Sequence, residues 1–455
     1  MKILLLNPPF VRCDSVTPDN DYEKIRKIFF KGYNYVPFYK KYIKSLNKKN
    51  KLRYGVRAGS RWPWTANYPI GALHYPFIMA YAASYLKKNG LEIKLIDAVA
   101  EEEYSFNRFL TAVKAENAGI SIIETSTPTF DIDLWFAEKI SNFSEVCLAG
   151  PHITDKNAKE LLKKYAFVKY WLKGEYIKSS LTMAQTKRRG IYDSEIVKDL
   201  NLIPFPYRDY PAALKYYDPS MPTERPQLQI YGSKGCPFKC VYCMWPQTMY
   251  KGVVSYRSPE SISEEIIECR NKYGVKSILF DDDTFNIGTK RIEKLCDMLK
   301  QIKLPWTMMG RLDCSPEWLY AKMVDSGCVG MRFGIETFDT GVLKRIKKGL
   351  VIDKVYETLK YITQEFPNLM IHLTMMKNLP GQTTEIHNND MRILKLLGYS
   401  PDNMFRSYQL ANCAPFPGTE LYAELQKCFE DINSVGGNKF DGGTETIMSK
   451  YKDLI

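Results

Sequence analysis

Gly235-Cys236-Pro237-Phe238-Lys239-Cys240-Val241-Tyr242-Cys243 sets three cysteines at the spacing C-x3-C-x2-C. Three thiolates fall one short of the ligands a 4Fe-4S cubane takes, which leaves one iron open to something other than protein. A zinc knuckle would want a fourth Cys or His at short range, and the nearest downstream histidine is His372. A disulfide framework fits poorly with 455 residues and an odd total of 11 cysteines. The iron–sulfur reading is the one the spacing favours. Cys13, Cys147, Cys269, Cys296, Cys314, Cys328, Cys413 and Cys428 stand alone and read as buried hydrophobes.

The length suits two or three domains, and a 45% hydrophobic share is that of an ordinary globular chain, so disordered and fibrous classes drop out. The apolar opening Ile3-Leu4-Leu5-Leu6 is too short for a signal peptide or a membrane span. A cytoplasmic protein is expected, where thiols stay reduced and an oxygen-sensitive cluster survives. Net charge is +13, with lysines and arginines crowded between residues 24 and 53 and interleaved with aromatics such as Phe29, Phe30, Tyr33 and Tyr35. A solvated amphipathic insertion is the commonest reason for such a stretch. An anionic substrate or an acidic electron-donor protein is the next reading, and nucleic acid the least favoured.

The first two hundred residues alternate strand and helix signals. Strands are expected at 2–6, 92–96, 119–123, 146–149 and 167–172, and helices at 70–88 and 132–140. Such alternation implies parallel pairing in a doubly wound sheet, with ligands at the C-terminal strand ends. Six prolines between 204 and 226 then mark a linker without long helices. Beyond it, strands are expected at 228–231, 277–280, 306–310, 329–334 and 370–375, with a sixth before Pro415. Ser258 and Pro259 open a helix that runs to about Tyr273.

Several pieces, in order along nearly the whole chain, resemble the cobalamin-dependent radical S-adenosylmethionine (radical SAM) enzymes. In the first half these are Asn7-Pro8-Pro9, Tyr68-Pro69-Ile70-Gly71, Ile96-Asp97-Ala98, Ala149-Gly150-Pro151-His152 and Lys173-Gly174-Glu175. In the second they are the cysteine run with Tyr242, Phe280-Asp281-Asp282-Asp283, Gly310-Arg311-Leu312-Asp313 and Gly334-Ile335-Glu336-Thr337, then Leu379-Pro380-Gly381 and Pro415-Phe416-Pro417-Gly418-Thr419. The resemblance implies an α/β protein: a Rossmann-like cobalamin-binding domain over 1–195 with an insertion at about 10–64, then a linker at 196–226. A partial (β/α)6 radical SAM barrel at 227–425 and a C-terminal extension at 426–455 complete it. Cys236, Cys240 and Cys243 would hold the cluster, and Phe238, Tyr242, Asp282, Arg311, Glu336 and Thr337 would contact SAM. Asn7, Pro8, Asp97, Ser126, Thr127, Gly150, Pro151, His152, Gly174 and Glu175 would contact cobalamin. Relatives that ligate cobalt from the protein carry D-x-H-x-x-G, where this chain reads Asp97-Ala98-Val99-Ala100-Glu101-Glu102, so a His-off cobalamin is implied.

By that resemblance the chain would methylate an unactivated carbon of a small molecule, using one SAM for the methyl group and another for a 5′-deoxyadenosyl radical. Cyclisation, ring contraction or rearrangement without methyl transfer is the rival. A flavodoxin or ferredoxin would supply the electron. The segment 10–64 is the expected variable lid, and the tail beyond about Leu425 carries no motif.

Overall fold

The computed structural model describes residues 1–9, 11–13, 52–55, 65–66 and 73–455, apart from 102, 104, 105, 430, 431, 433, 434, 436, 444 and 455. Most of the basic insertion, the Tyr68-Pro69-Ile70-Gly71 motif and the side chain of Cys13 therefore lie outside the described residues.

Ile3, Leu4, Leu5 and Leu6 are wholly buried because their strand, β1 (Lys2–Asn7), has parallel neighbours on both edges and helices on both faces. After it come three short antiparallel strands, β2 (Val11–Cys13), β3 (Leu52–Gly55) and β4 (Thr65–Ala66). Then α1 (Phe77–Lys88) leads to β5 (Glu92–Asp97), α2 (Phe106–Ala115) to β6 (Ile120–Glu124), and α3 (Phe130–Ile140) to β7 (Glu145–Gly150). The first half closes with α4 (Ala158–Lys164), β8 (Val168–Lys173), α5 (Ile177–Thr186) and β9 (Gly190–Tyr192). The main sheet runs β5-β1-β6-β7-β8-β9, all parallel. Side chains alternate across it: Ile3 and Leu5 pack with α1 and α5, Leu4 and Leu6 with α2 and α3.

The second half contributes β10 (Gln227–Ile230), the small hairpin of β11 (Ser233–Lys234) and β12 (Ser255–Tyr256), α6 (Pro259–Tyr273) and β13 (Ser277–Phe280). It continues with α7 (Thr289–Ile302), β14 (Trp306–Gly310), α8 (Glu317–Asp325), β15 (Cys328–Glu336), α9 (Thr340–Arg345) and α10 (Ile352–Glu365). The last elements are β16 (Met370–Lys377), α11 (Thr384–Leu396), β17 (Arg406–Asn412), α12 (Glu420–Cys428) and α13 (Met448–Tyr451). Its six main strands are parallel and stand in chain order, β10-β13-β14-β15-β16-β17, with the outer two not paired to each other among the described residues. Ser258 caps α6 by accepting from the Ser261 amide at 3.2 Å, with Pro259 at the first helical position.

The two halves share a core. Phe77 of α1 stacks on Tyr231 at a 3.7 Å centroid distance, and Met244, Trp245, Met249 and Tyr250 pack in the same cluster as β1 and β8.

Two expectations need correction. The helix expected from 70 begins at Phe77 in the described chain: Pro76 stands at its N-cap, and Leu73 is held extended by two backbone bonds with Tyr217. The isolated cysteines are not uniformly buried, since Cys428 is exposed and Cys314 half-buried. The tail, which carries no motif, is bonded to the second half. Gly442 accepts from the Asn412 amide at 2.8 Å and Lys452 accepts from the Gly381 amide at 3.1 Å, folding residues 437–454 over the ends of β16 and β17.

Candidate functional site

The C-terminal ends of β14 to β17, the cysteine loop and the tail enclose one cavity, about 1290 Å³ of empty space counting the solvent at its mouth. Strand geometry decides which residues reach it. Every second residue of β15 (Arg332, Gly334, Glu336) lines it, as do Thr374 and Met376 on β16 and Gln409 and Ala411 on β17.

Cys236, Cys240 and Cys243 all line this cavity. Their loop is built on Gly235, whose φ of +87° and 2.1 Å approach of a would-be Cβ to the Val253 carbonyl exclude a side chain. The Gly235 amide donates to Asp283 Oδ2 at 2.7 Å, and Gln247 donates to the carbonyls of Cys240, Val241 and Cys243. The loop's shape is therefore fixed from outside. Burial pushes the Cys243 thiol well above its ordinary range, and the neighbouring Cys240 and Cys236 add to that. A bound metal would offset the cost by taking the thiolate. Among the described residues no three His, Cys, Asp or Glu converge on a point where a single ion would sit. The C-x3-C-x2-C order in sequence fits a 4Fe-4S cluster, in which each cysteine holds a different iron.

Of the expected SAM contacts, Phe238, Tyr242, Arg311 and Glu336 line the cavity. Arg311 stacks 3.6 Å above the Phe238 ring, forks onto Asp313 at 2.9 and 2.7 Å, and donates to the Lys348 carbonyl at 2.8 Å. Glu336, at φ +71°, pairs with Lys348 at 2.9 Å. Burial works to lower the Lys348 ammonium, but the Glu336 carboxylate and Cys240 together outweigh it and leave its pKa raised. Asp282 and Thr337 do not line the cavity. Asp282 turns back to accept from the Gly232 amide at 2.8 Å and the Ser233 hydroxyl at 2.6 Å, and Thr337 donates to Asp390 at 2.8 Å. Asp283 takes the place beside the cysteines.

Sequence reasoning missed Lys348, Asp283, Arg332 and Gly442 as lining residues. For Arg332 the signal was present, since it stands at even spacing before Gly334 and Glu336. Arg332 pairs with Asp218 at 2.6 Å. Burial works to raise the Asp218 carboxyl, yet Arg332, His74 and the hydrogen bonds from Ser220 together outweigh it and hold the pKa at about 2.

A second cavity, about 1280 Å³ including open solvent, lies between the ends of β6 and β7 and residues 417–440. Thr127 and His152 line it, 3.0 Å apart from Oγ1 to Nδ1, with the imidazole tilted over Phe130 at 4.1 Å. Burial pulls the pKa of His152 down to about 4, so the ring is neutral at physiological pH. Ser126, Gly150 and Pro151 are buried behind these two. Asn7 donates to Asp97 at 2.8 Å, and Asp97 also accepts from Tyr216 at 2.7 Å, so both face the interior and not a cavity.

Gly174 and Glu175 form a joint between the two sheets. Gly174 has φ +52°, and a Cβ there would stand 2.6 Å from the Thr248 carbonyl, in the π-helical turn Trp245–Met249 that follows Cys243. Glu175 accepts from the Val197 amide at 2.8 Å and forms a fully buried ion pair with Lys234, two residues before Cys236. Burial is the largest influence on both, raising the carboxyl and lowering the ammonium.

Residues 230–389 match the family model described as the radical SAM superfamily. An uncharacterized methyltransferase of Pyrococcus horikoshii is 27% identical over 388 residues, covering 78% of this chain and 79% of its own. Cytidylyl-2-hydroxyethylphosphonate methyltransferase of Streptomyces wedmorensis is 25% identical over 206 residues, 43% of this chain and 37% of that one. Among solved structures, the radical S-adenosylmethionine methyltransferase TsrM of Kitasatospora setae superposes with a TM-score of 0.60 at 14% identity, covering 79% of this chain and 74% of that chain. The cobalamin-dependent S-adenosylmethionine radical enzyme OxsB gives 0.57 at 16% identity, over 85% of this chain and 64% of that chain. The likeness to both is one of fold. No helix among the described residues is long and apolar enough to cross a membrane.

Proposed function

We propose that this chain, a radical SAM enzyme, methylates an unactivated carbon of a small molecule with cobalamin as the methyl carrier. The observation that carries the reading is the turn Trp245–Met249. Its Trp245 lines the cavity with the cysteines, and its Thr248 and Met249 touch the end of β8 through Gly174 and Glu175. A ligand held at the strand ends of the first sheet would therefore lie beside the radical site. When bound, the cluster with SAM supplies a 5′-deoxyadenosyl radical and cobalamin supplies the methyl group.

In this reading Cys236, Cys240 and Cys243 hold three of the irons. Glu336, paired with Lys348, offers carboxylate oxygens to a ribose diol. Phe238, Tyr242, Trp245, Met309 and Met376 give the cavity apolar walls that exclude water. Thr127 and His152 hold part of cobalamin in the second cavity. Ala98, Val99 and Ala100 offer no ligand to cobalt, which favours the His-off form. Arg311, Arg332 and Lys348, the cations lining the cavity, each pair with a carboxylate, which favours an uncharged reacting portion of the substrate.

The test is anaerobic reconstitution with iron, sulfide and cobalamin, then SAM and dithionite, with nucleoside products quantified. Formation of both 5′-deoxyadenosine and S-adenosylhomocysteine is expected. Deoxyadenosine without S-adenosylhomocysteine, in the presence of bound cobalamin, would overturn the methyl-transfer reading.

A further inference from the structure

We propose that Thr374 and Gln409 set the substrate specificity of the cavity that the cysteines line, and that they select an uncharged substrate by one of its carbonyl oxygens. The inference rests on the reading of this cavity as the radical site, and it names what the substrate must offer there.

Strand register sorts the cavity lining into layers. Arg332 stands between Met309 on β14 and His372 on β16, and His372 stands beside Ser407 on β17. Arg332 and Met309 form the lowest lining layer, and the linker backs it: Arg332 Nη2 donates to Asp218 Oδ2 at 2.6 Å and to the Ser220 hydroxyl. Two residues further along each strand, Gly334, Thr374 and Gln409 stand side by side. Beyond them, toward the strand ends, come Glu336, Met376 and Ala411.

The middle layer has hydrogens to give. Burial, with Arg332 beside it, keeps the His372 imidazole neutral by pulling its pKa down to about 3. Its Nδ1 lies 2.8 Å from the Ser407 hydroxyl and its Nε2 3.4 Å from Gln409 Oε1. A carboxamide oxygen only accepts, so the ring proton sits on Nε2 and Ser407 donates to Nδ1. That leaves Gln409 Nε2 to the cavity. Neither this amide nitrogen nor the Thr374 hydroxyl has a hydrogen-bond partner among the described residues. Gly334 keeps the space before them open, since a Cβ there would stand 3.4 Å from Thr374 Oγ1 and 2.8 Å from Glu336 Oε1.

Thr374 and Gln409 are register partners on adjacent strands, about 5 Å apart at the backbone, so their two donors can meet on one atom. A carbonyl oxygen has two lone pairs and can take both. A hydrocarbon would leave both donors unpaired, which is how a polar site rejects an analogue that lacks the matching group. A carboxylate would add charge to a cavity whose three cations already pair with carboxylates and which Asp283 also lines.

The measurement is the affinity of small probes for the anaerobically reconstituted protein, by ligand-observed NMR. Acetophenone carries a carbonyl, ethylbenzene no acceptor, and benzoate a charge. Acetophenone should bind about tenfold more tightly than ethylbenzene, the worth of two neutral hydrogen bonds, and more tightly than benzoate. Thr374→Val/Gln409→Leu nearly keeps the volumes and should erase the preference for acetophenone. Gln409→Glu sets a carboxylate where the amide stood and should shift the preference to the cation 1-phenylethylamine, a gain that a misfolded variant could not show. Equal affinities in the unaltered protein, tightest binding of benzoate, a preference that survives Thr374→Val/Gln409→Leu, or a folded Gln409→Glu without that gain would each overturn the proposal. Absence of 5′-deoxyadenosine when the unaltered protein receives SAM and dithionite would count against the radical reading instead, whatever the probes show.

Discussion

Both halves are parallel sheets sheathed in helices, yet they make their sites differently. In the first, strand order reverses beside β1, and in the second β10 to β17 follow one another without reversal. A reversal opens a crevice at the strand ends, and the side chains that line the rim cavity (Thr127, His152) lie just past β6 and β7, next to it. A sheet that never reverses gathers its strand ends around a common space, so side chains still within strands line the site. Arg332 and Glu336 on β15 and Gln409 on β17 are of that kind. The first sheet offers a cavity at its rim, and the second encloses one.

The contrast breaks if the cysteines matter to both sites. Cys236→Ala/Cys240→Ala/Cys243→Ala should abolish the iron–sulfur absorption and all deoxyadenosine while leaving cobalamin binding intact. Loss of cobalamin binding in a folded variant would mean that the rim site is built from the enclosed one.

A smaller effect is expected inside the enclosed site. Lys348→Met strands the Glu336 carboxylate, 7% exposed, and removing one partner of a buried pair costs about 3–5 kcal/mol. Urea denaturation should show most of that restored in Lys348→Met/Glu336→Gln.

Much of this was legible because parallel strands covered on both faces must be apolar throughout, which makes runs such as Ile3–Leu6 easy to see. The capped start of α6 was legible for a similar reason, a hydroxyl followed by Pro259. The choice among Asp281, Asp282 and Asp283 was not. Three like residues at a strand end differ only in where the bend points each one, and the bend is set by Gly232 and Gly235 fifty residues earlier. Lys348 was hidden among 64 lysines and arginines, since only burial beside Glu336 distinguishes it. The tail was opaque because the bonds that seat it on Asn412 and Gly381 are backbone to backbone, and its buried side chains (Phe440, Ile447, Met448) are too scattered to show a period.

The smallest effect distinguishes the two histidines. Burial, reinforced by Arg332, pulls the pKa of His372 down to about 3, below the about 4 of His152. An unfolded histidine takes its proton near pH 6.5, so the unfolded chain binds more protons below that pH. The stability is complete above about 6.5 and drains as pH falls toward each folded value. For His372, 5% exposed, the loss by pH 5 should be about 2 kcal/mol, and His372→Gln should flatten the dependence of Tm on pH between 7 and 5. An unchanged slope would show that His372 is free to protonate in the folded chain.

The Glu175–Lys234 pair also bears on how the molecule comes apart. Each charge belongs to a different half of the chain, Glu175 just past β8 and Lys234 on the β11 hairpin, and neither side chain has any exposure. Cutting the chain between 195 and 227 would leave each fragment with a solitary ion in an apolar setting, a defect that removal of any surface pair would not create. The two sheets are therefore expected to melt as one cooperative unit. An attempt to dissect the protein should begin by neutralising both members of this pair.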